Sequence, residues 1–225
     1  MIDRIEYDNF LEFVVEQGTE EWWELKKGIP SASQYHRILT PARGEISKQA
    51  EDYAAELIGD EFGLIAPEGV ENFTNRAVRW GIETENEARE WYCFQTGLEV
   101  RRAGWLTTKD GRFGCSPDGL VGETGGLELK CPQSKTHVLY CLDPRRLLMD
   151  YRCQVHGALW ISKRQWWDLV SYCPGLPGLR MRIEPDEFTD KLGIALGHFW
   201  TMLQDMRTKI VGQPEIELTA PATAD

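Results

Sequence analysis

Gly114-Cys115-Ser116-Pro117-Asp118-Gly119-Leu120 and, shortly after it, Gly125-Gly126-Leu127-Glu128-Leu129-Lys130-Cys131-Pro132 form the stretch around which this chain is organised. Pro-Asp-Gly is a turn signal, and Glu123-Thr124-Gly125-Gly126 is a second. Leu127 to Lys130 alternates apolar and charged residues with period two, which predicts a strand. Side chains two apart share a face, so Glu128 and Lys130 project together while Leu127 and Leu129 face a core. The two turns fold the chain back and bring Asp118 to the same edge. Two carboxylates and one ammonium then converge. Such hard oxygen donors suit Mg²⁺, and the ammonium can orient a water or stabilise developing negative charge.

Each piece alone is ordinary: Pro-Asp-Gly as a turn, Glu-x-Lys as a solvated strand face. Together, with ten residues from Asp118 to Glu128, they match the nuclease pattern Pro-Asp, variable gap, Glu-x-Lys. The flanking residues narrow it. Ser116-Pro117-Asp118-Gly119-Leu120 followed by Gly126-Leu127-Glu128-Leu129-Lys130-Cys131-Pro132 resembles the phage lambda exonuclease family, the YqaJ-type viral recombinases. Three further blocks keep that family's order. They are Trp22 with Leu25-Lys26-Lys27-Gly28-Ile29-Pro30-Ser31-Ala32-Ser33, then Trp80-Gly81 with Glu85 and Ala88, then Tyr151 with Gln154, Val155 and Trp160. The resemblance spans about residues 22 to 165. One departure stands out, Lys26 where a family arginine often sits.

The resemblance implies an α/β fold with a restriction-endonuclease-like core, a mixed central β-sheet flanked by helices. It implies a Mg²⁺-dependent exonuclease that degrades one strand of linear double-stranded DNA from the 5′ end to mononucleotides, leaving a 3′ single-stranded overhang. Family members form a homotrimer ring on DNA ends and work with a phage single-strand-annealing protein, in the cytoplasm of a host cell that carries the phage or prophage. Carried over residue by residue, Asp118 and Glu128 hold two Mg²⁺ (Mn²⁺ substituting) with the Leu129 carbonyl. Lys130 positions the attacking water and helps to deprotonate it, without pairing structurally to Glu128. Glu85 and Gln154 complete the shell. Lys26, Ser33, Ser116 and Arg76 contact phosphates, and Lys26, Ser33 and a helix start near Ser31 make a pocket for the 5′-terminal phosphate. Two alternatives stay open: a structure-selective endonuclease on the same fold, and a catalytically silent DNA clamp. The complete Asp118, Glu128 and Lys130 set argues against the clamp.

A net charge of −11 argues against a broad basic face for nucleic acid. It leaves room for a confined groove, with Lys26/Lys27, Arg76/Arg79, Arg101/Arg102, Arg145/Arg146 and Lys163/Arg164 as its candidates. The 42% hydrophobic content and nine Trp suit a single globular domain over 1–212, with 213–225 as a disordered tail. No apolar run is long enough to span a membrane, and no signal peptide is visible. Six scattered Cys without a Cys-x-x-Cys pair predict reduced, mostly buried thiols, and four His give no zinc pattern.

Along the chain, Phe13-Val14-Val15 predicts a short strand. Thr19 caps a helix to Lys27, Ser31 caps another to Leu39, and Ser47 opens a third with Ala50, Tyr53, Ala54, Leu57 and Ile58 inward. Residues 63 to 73 read as a loop and 75 to 96 as a helix carrying Glu85. Residues 132 to 149 read as loop or irregular helix, and 150 to 162 as the helix carrying Gln154. Strands follow near 165–173 and 179–184. Pro185 opens a last helix with an apolar stripe from Phe188 to Ile210.

Overall fold

The computed structural model of the chain describes residues 2–62 and 76–211, with the side chains of 76–83 outside that description. The predicted loop at 63–73 and the tail after Gly212 also lie outside it. The chain opens with a hairpin, β1 (Arg4–Glu6) and β2 (Phe10–Phe13), earlier and longer than the short strand predicted at Phe13 to Val15. Phe10 and Leu11 are the apolar residues that bury there. Helix α1 (Glu20–Lys26) starts where expected, the Thr19 hydroxyl accepting from the Trp22 N–H. A 3₁₀ helix (Ala32–Arg37), α2 (Ala50–Glu61) and α3 (Arg76–Thr96) follow. Then come β3 (Val100–Arg101), β4 (Trp105–Thr108), β5 (Gly114–Cys115), β6 (Gly119–Val121) and β7 (Gly125–Lys130). After α4 (Ser134–Leu142) and α5 (Pro144–Ser162), strands β8 (Trp166–Ser171) and β9 (Leu179–Ile183) lead to α6 (Glu187–Ile210).

The strands divide between two sheets, ordered β1-β2-β4-β5 and β3-β6-β7-β8-β9. The second is mixed: β7 and β8 run parallel, while its other pairs are antiparallel. A parallel pair needs a long crossover, which α4 and α5 supply. Sheet with flanking helices is the α/β architecture expected. The larger apolar cluster joins α2, α5 and α6 to the sheets through Tyr53, Leu159, Leu169, Leu192 and Phe199. A smaller one packs Ala88 and Tyr92 of α3 against Val121, Leu127, Leu129 and Val170.

Several local expectations change. Gly125-Gly126 belongs to β7 rather than to a turn, because Trp166 and Trp167 of β8 lie across it. A Cβ on these glycines would stand 2.1 and 2.3 Å from the indole rings. The segment 132–149 is helical on both sides of Asp143, whose side chain caps α5 at Arg145. Pro185 lies just outside α6, where Asp186 and Thr189 form a reciprocal capping box. Ser31 precedes a six-residue 3₁₀ helix and makes no side-chain cap; its N–H is taken by the Tyr53 hydroxyl at 3.0 Å. All six cysteines are unpaired, with Cys115, Cys153 and Cys173 buried.

Candidate active site

The period-two pattern of β7 sends its residues to two different neighbours. Leu127 and Leu129 enter the cluster under α3. Glu128 and Lys130 turn the other way, towards α5, where Glu128 is only 3% exposed. One carboxylate oxygen of Glu128 takes two bonds, from the Lys130 ammonium at 2.8 Å and from Gln154 Nε2 at 2.6 Å. Lys130, expected to orient the attacking water rather than to pair with Glu128, does form an ion pair with it, because side chains two apart on a buried strand face meet and opposite charges pair there. The ammonium also lies 4.4 Å from the centre of the Tyr151 ring on α5.

Asp118 reaches this pair through the backbone. Its Oδ2 accepts from the Leu129 N–H at 2.5 Å, which lashes the Pro117-Asp118-Gly119 turn to the middle of β7. Gln17 Nε2 donates to the Pro117 carbonyl at 2.9 Å and to the Ala103 carbonyl at 3.0 Å. From α3, Arg89 donates to the Asp118 carbonyl and, at 2.5 Å, to Glu85 Oε1. Burial and then the Glu128 and Glu85 carboxylates push Asp118 well above the usual carboxylate range. Glu128 is raised by burial, with Lys130 pulling the other way. Burial lowers Lys130, but Glu128 and Asp118 outweigh it and hold the ammonium above ordinary lysine. In this arrangement Lys130 keeps its proton and acts as a hydrogen-bond donor.

The open side is a cleft of about 200 Å³ lined by Asp118, Glu128, Gln154, Ser116, Ser31, Ser33, Trp22 and Lys26. Trp22 Nε1 donates to Ser116 Oγ at 2.9 Å, and Ser31 and Ser33 hydroxyls lie 3.3 Å apart. The Lys26 ammonium stands 3.6 Å from the Trp22 ring centre, 5.0 Å from Trp23 and 5.6 Å from Trp105. The structure thus brings together Asp118, Glu128, Lys130, Gln154, Lys26, Ser33 and Ser116. Glu85 reaches the group through Arg89. Arg76 opens α3, but its side chain lies outside the described residues.

Among the described residues the other basic pairs do not line this cleft, and the Arg79 side chain, like that of Arg76, lies outside the description. Lys27 pairs with Glu24, Arg101 with buried Glu12, and Arg145 with Asp143. Arg164 is buried and donates to the carbonyls of Gly122 and Gly125. Gln17 and Arg89 are site neighbours that the sequence did not single out, and Tyr151 stands there only as part of a family block. For Arg89 a signal exists, its i,i+4 spacing from Glu85. For Gln17 there is none.

Among the described residues, no group of three or more His, Cys, Asp or Glu side chains is arranged to hold a metal ion. What is present is the buried Glu128 carboxylate and the half-buried Asp118 carboxylate, whose protons are favoured by lost solvent and neighbouring acids, beside the Leu129 backbone. That donor set fits Mg²⁺, which is ordinarily held by one or two carboxylates and completes its shell with water and phosphate oxygens.

The family description "YqaJ-like viral recombinase domain" matches residues 21–165 of the chain. Among solved structures, the chain is similar to an alkaline exonuclease, LHK-Exo, from Laribacter hongkongensis. Identity is 30% over 85% of this chain and 97% of that one, with a TM-score of 0.67. The same relative in complex with dAMP gives 31% identity over the same shares, again with a TM-score of 0.67. A phage related exonuclease from Haemophilus somnus shares the fold at 16% identity, covering 84% of this chain and 99% of that one, with a TM-score of 0.64. No curated protein matches the chain.

Proposed function

The chain belongs to the family of YqaJ-like viral recombinase domains, and from that premise we propose a DNA exonuclease that is Mg²⁺-dependent and removes mononucleotides from the 5′ strand of a linear duplex. The observation that carries the reading is the convergence of Asp118, Glu128 and Gln154 at one cleft, with Lys130 against Glu128: the Leu129 N–H holds Asp118, Gln154 of α5 holds Glu128, and the Lys130 ammonium meets the same Glu128 oxygen. The similar alkaline exonuclease is described in complex with dAMP, a mononucleotide, which supports that product class.

Asp118, Glu128 and the Leu129 carbonyl would hold the metal, and the expectation of two ions sharing these donors stands as part of this proposal. When bound there, the metal supplies charge neutralisation and Lewis acidity at the scissile phosphate. The chain's own groups do the rest. Gln154 fixes one oxygen of Glu128 and leaves the other for the reaction. Lys130 donates a hydrogen bond to the attacking water or to a phosphate oxygen. Lys26, Ser33 and Ser116 face the cleft from its far wall and hold the terminal phosphate. This pocket rests on the ammonium and hydroxyls, since a six-residue 3₁₀ helix adds little dipole. The 3′ overhang left behind is the substrate for a single-strand-annealing partner, and a homotrimer ring supplies the basic enclosure that a chain of net charge −11 lacks alone.

Incubation with Mg²⁺ and two substrates, a linear duplex and a covalently closed circle, tests the reading. The expected result is digestion of the linear form alone, with mononucleotides released from 5′ ends. Cutting of the circle makes the protein an endonuclease, and cutting of neither makes it a clamp.

A further inference from the structure

Arg89 lies one helical turn beyond Glu85 on α3 and joins two elements of the centre. One terminal nitrogen donates to Glu85 Oε1 at 2.5 Å, and the other donates to the main-chain carbonyl of Asp118. Its side chain is 12% exposed, against 37% for Glu85, and its Nε is buried with no hydrogen-bond partner among the described residues. A solvated i,i+4 pair would explain neither the burial nor the bond to another element's backbone. The two terminal nitrogens are thus the groups through which this buried guanidinium acts.

Asp118 is otherwise held at the carbonyl before it, by Gln17, and at its carboxylate, by the Leu129 N–H. The guanidinium closes the remaining side. We infer that Arg89 is a positioning residue: it locks the Glu85 carboxylate and the Asp118 peptide into one frame, so that α3 and the Pro117-Asp118-Gly119 turn present their acids together. The inference rests on the proposed nuclease centre. The fork is needed because its two nitrogens point at two partners at once. A lysine, as a point charge, serves one at a time.

Arg89→Lys and Arg89→Met in the full chain test this, with Mg²⁺ affinity measured by calorimetry on metal-free protein and turnover measured on 5′-phosphorylated linear duplex. Both variants are expected to keep the wild-type circular dichroism spectrum and to lose about tenfold or more in Mg²⁺ affinity, as supporting residues around metal ligands do. Turnover should fall roughly 10²-fold with KM for DNA little changed. Adding Glu85→Gln to Arg89→Met should cost little more, because linked residues act as a unit. Unchanged Mg²⁺ affinity and turnover with only a lower melting temperature would overturn the inference, and so would fully additive losses in the double variant. Should Arg89→Met not fold, Arg89→Lys decides alone, by the same two readouts. Wild-type protein that binds Mg²⁺ but cuts neither DNA form would sink the nuclease reading, while the affinity shift would still decide the role of Arg89.

Discussion

Asp168 and Glu128 sit on neighbouring parallel strands, one register position apart, and both are buried, at 0% and 3% exposure. Their company differs. Asp168 faces α3 and accepts two bonds from Arg182, at 2.9 and 2.8 Å, and one from the Tyr92 hydroxyl at 2.7 Å. Arg180 stands 3.6 Å away. That is one anion against two cations and a hydroxyl. Glu128 faces α5 and shares its neighbourhood with Asp118 and Glu85, so three acids meet two cations, Lys130 and Arg89. A cluster meant only to hold the fold completes its charges. The cleft gathers more acids than cations, which is unfavourable for the folded chain and useful for holding a divalent cation, which in turn can meet a phosphate.

The sharpest way to break this contrast is Asp118→Asn. Turnover should drop roughly 10³-fold or more, with the circular dichroism spectrum intact. In chelator at pH 8 the melting temperature should hold or rise, since a crowded carboxylate has been removed. Turnover within tenfold of wild type would end the assignment. Asp168→Ala should do the reverse. Breaking a buried, fully paired acid costs on the order of 3–5 kcal/mol of stability, while turnover well below the new melting point stays within a few-fold. A variant with full stability and lost turnover would erase the distinction between the clusters.

Lys130→Ala probes the boundary, because the ammonium is both partner to Glu128 and proposed donor. Turnover should fall roughly 10²-fold; unfolding at unchanged specific activity would make it a structural ion pair only. Lys26→Ala should remove most of a several-fold preference for 5′-phosphorylated over 5′-hydroxyl ends, and Lys26→Arg should keep it, as two-substrate competition would reveal. Equal rates on both ends in the wild type would take Lys26 out of the site. The smallest effect concerns His156, buried against Thr189 at 2.8 Å. Burial lowers its pKa, with Asp186 pulling upward and Arg152 adding to the lowering. The folded state therefore binds fewer protons than the unfolded one. Its stability contribution is full above the unfolded value of about 6.5 and declines as pH falls through the lowered folded value. The urea midpoint of His156→Gln should show less of that decline than the wild type.

The chemistry was legible where it is local. Alternation along Leu127–Lys130, and the turn at Pro117-Asp118-Gly119, place two acids and a lysine at one edge with no knowledge of the rest. Glu85 and Gln154 were readable only through resemblance, since an acid or amide on a helix face has no periodic signature. The Gly125-Gly126 pair was misread because glycine marks both turns and close approach, and only Trp166 and Trp167 across the sheet decide between them. The pairing of Lys130 with Glu128 depends on how deeply α5 covers the strand face, which the pattern of a single strand does not encode. The split into two sheets depends likewise on pairings between distant strands.

Gln17 and Trp22 close onto Pro117 and Ser116 across 100 and 94 residues of chain. Contacts so far apart in sequence form late, after the intervening segments have found their places. During synthesis the amino-terminal wall emerges first and waits for Asp118 and Glu128, and these wait in turn for Gln154 on a helix that ends at Ser162. A chain caught halfway through translation thus has acids without walls or walls without acids. The full set of site residues is therefore in hand only once the chain has been made past Gln154.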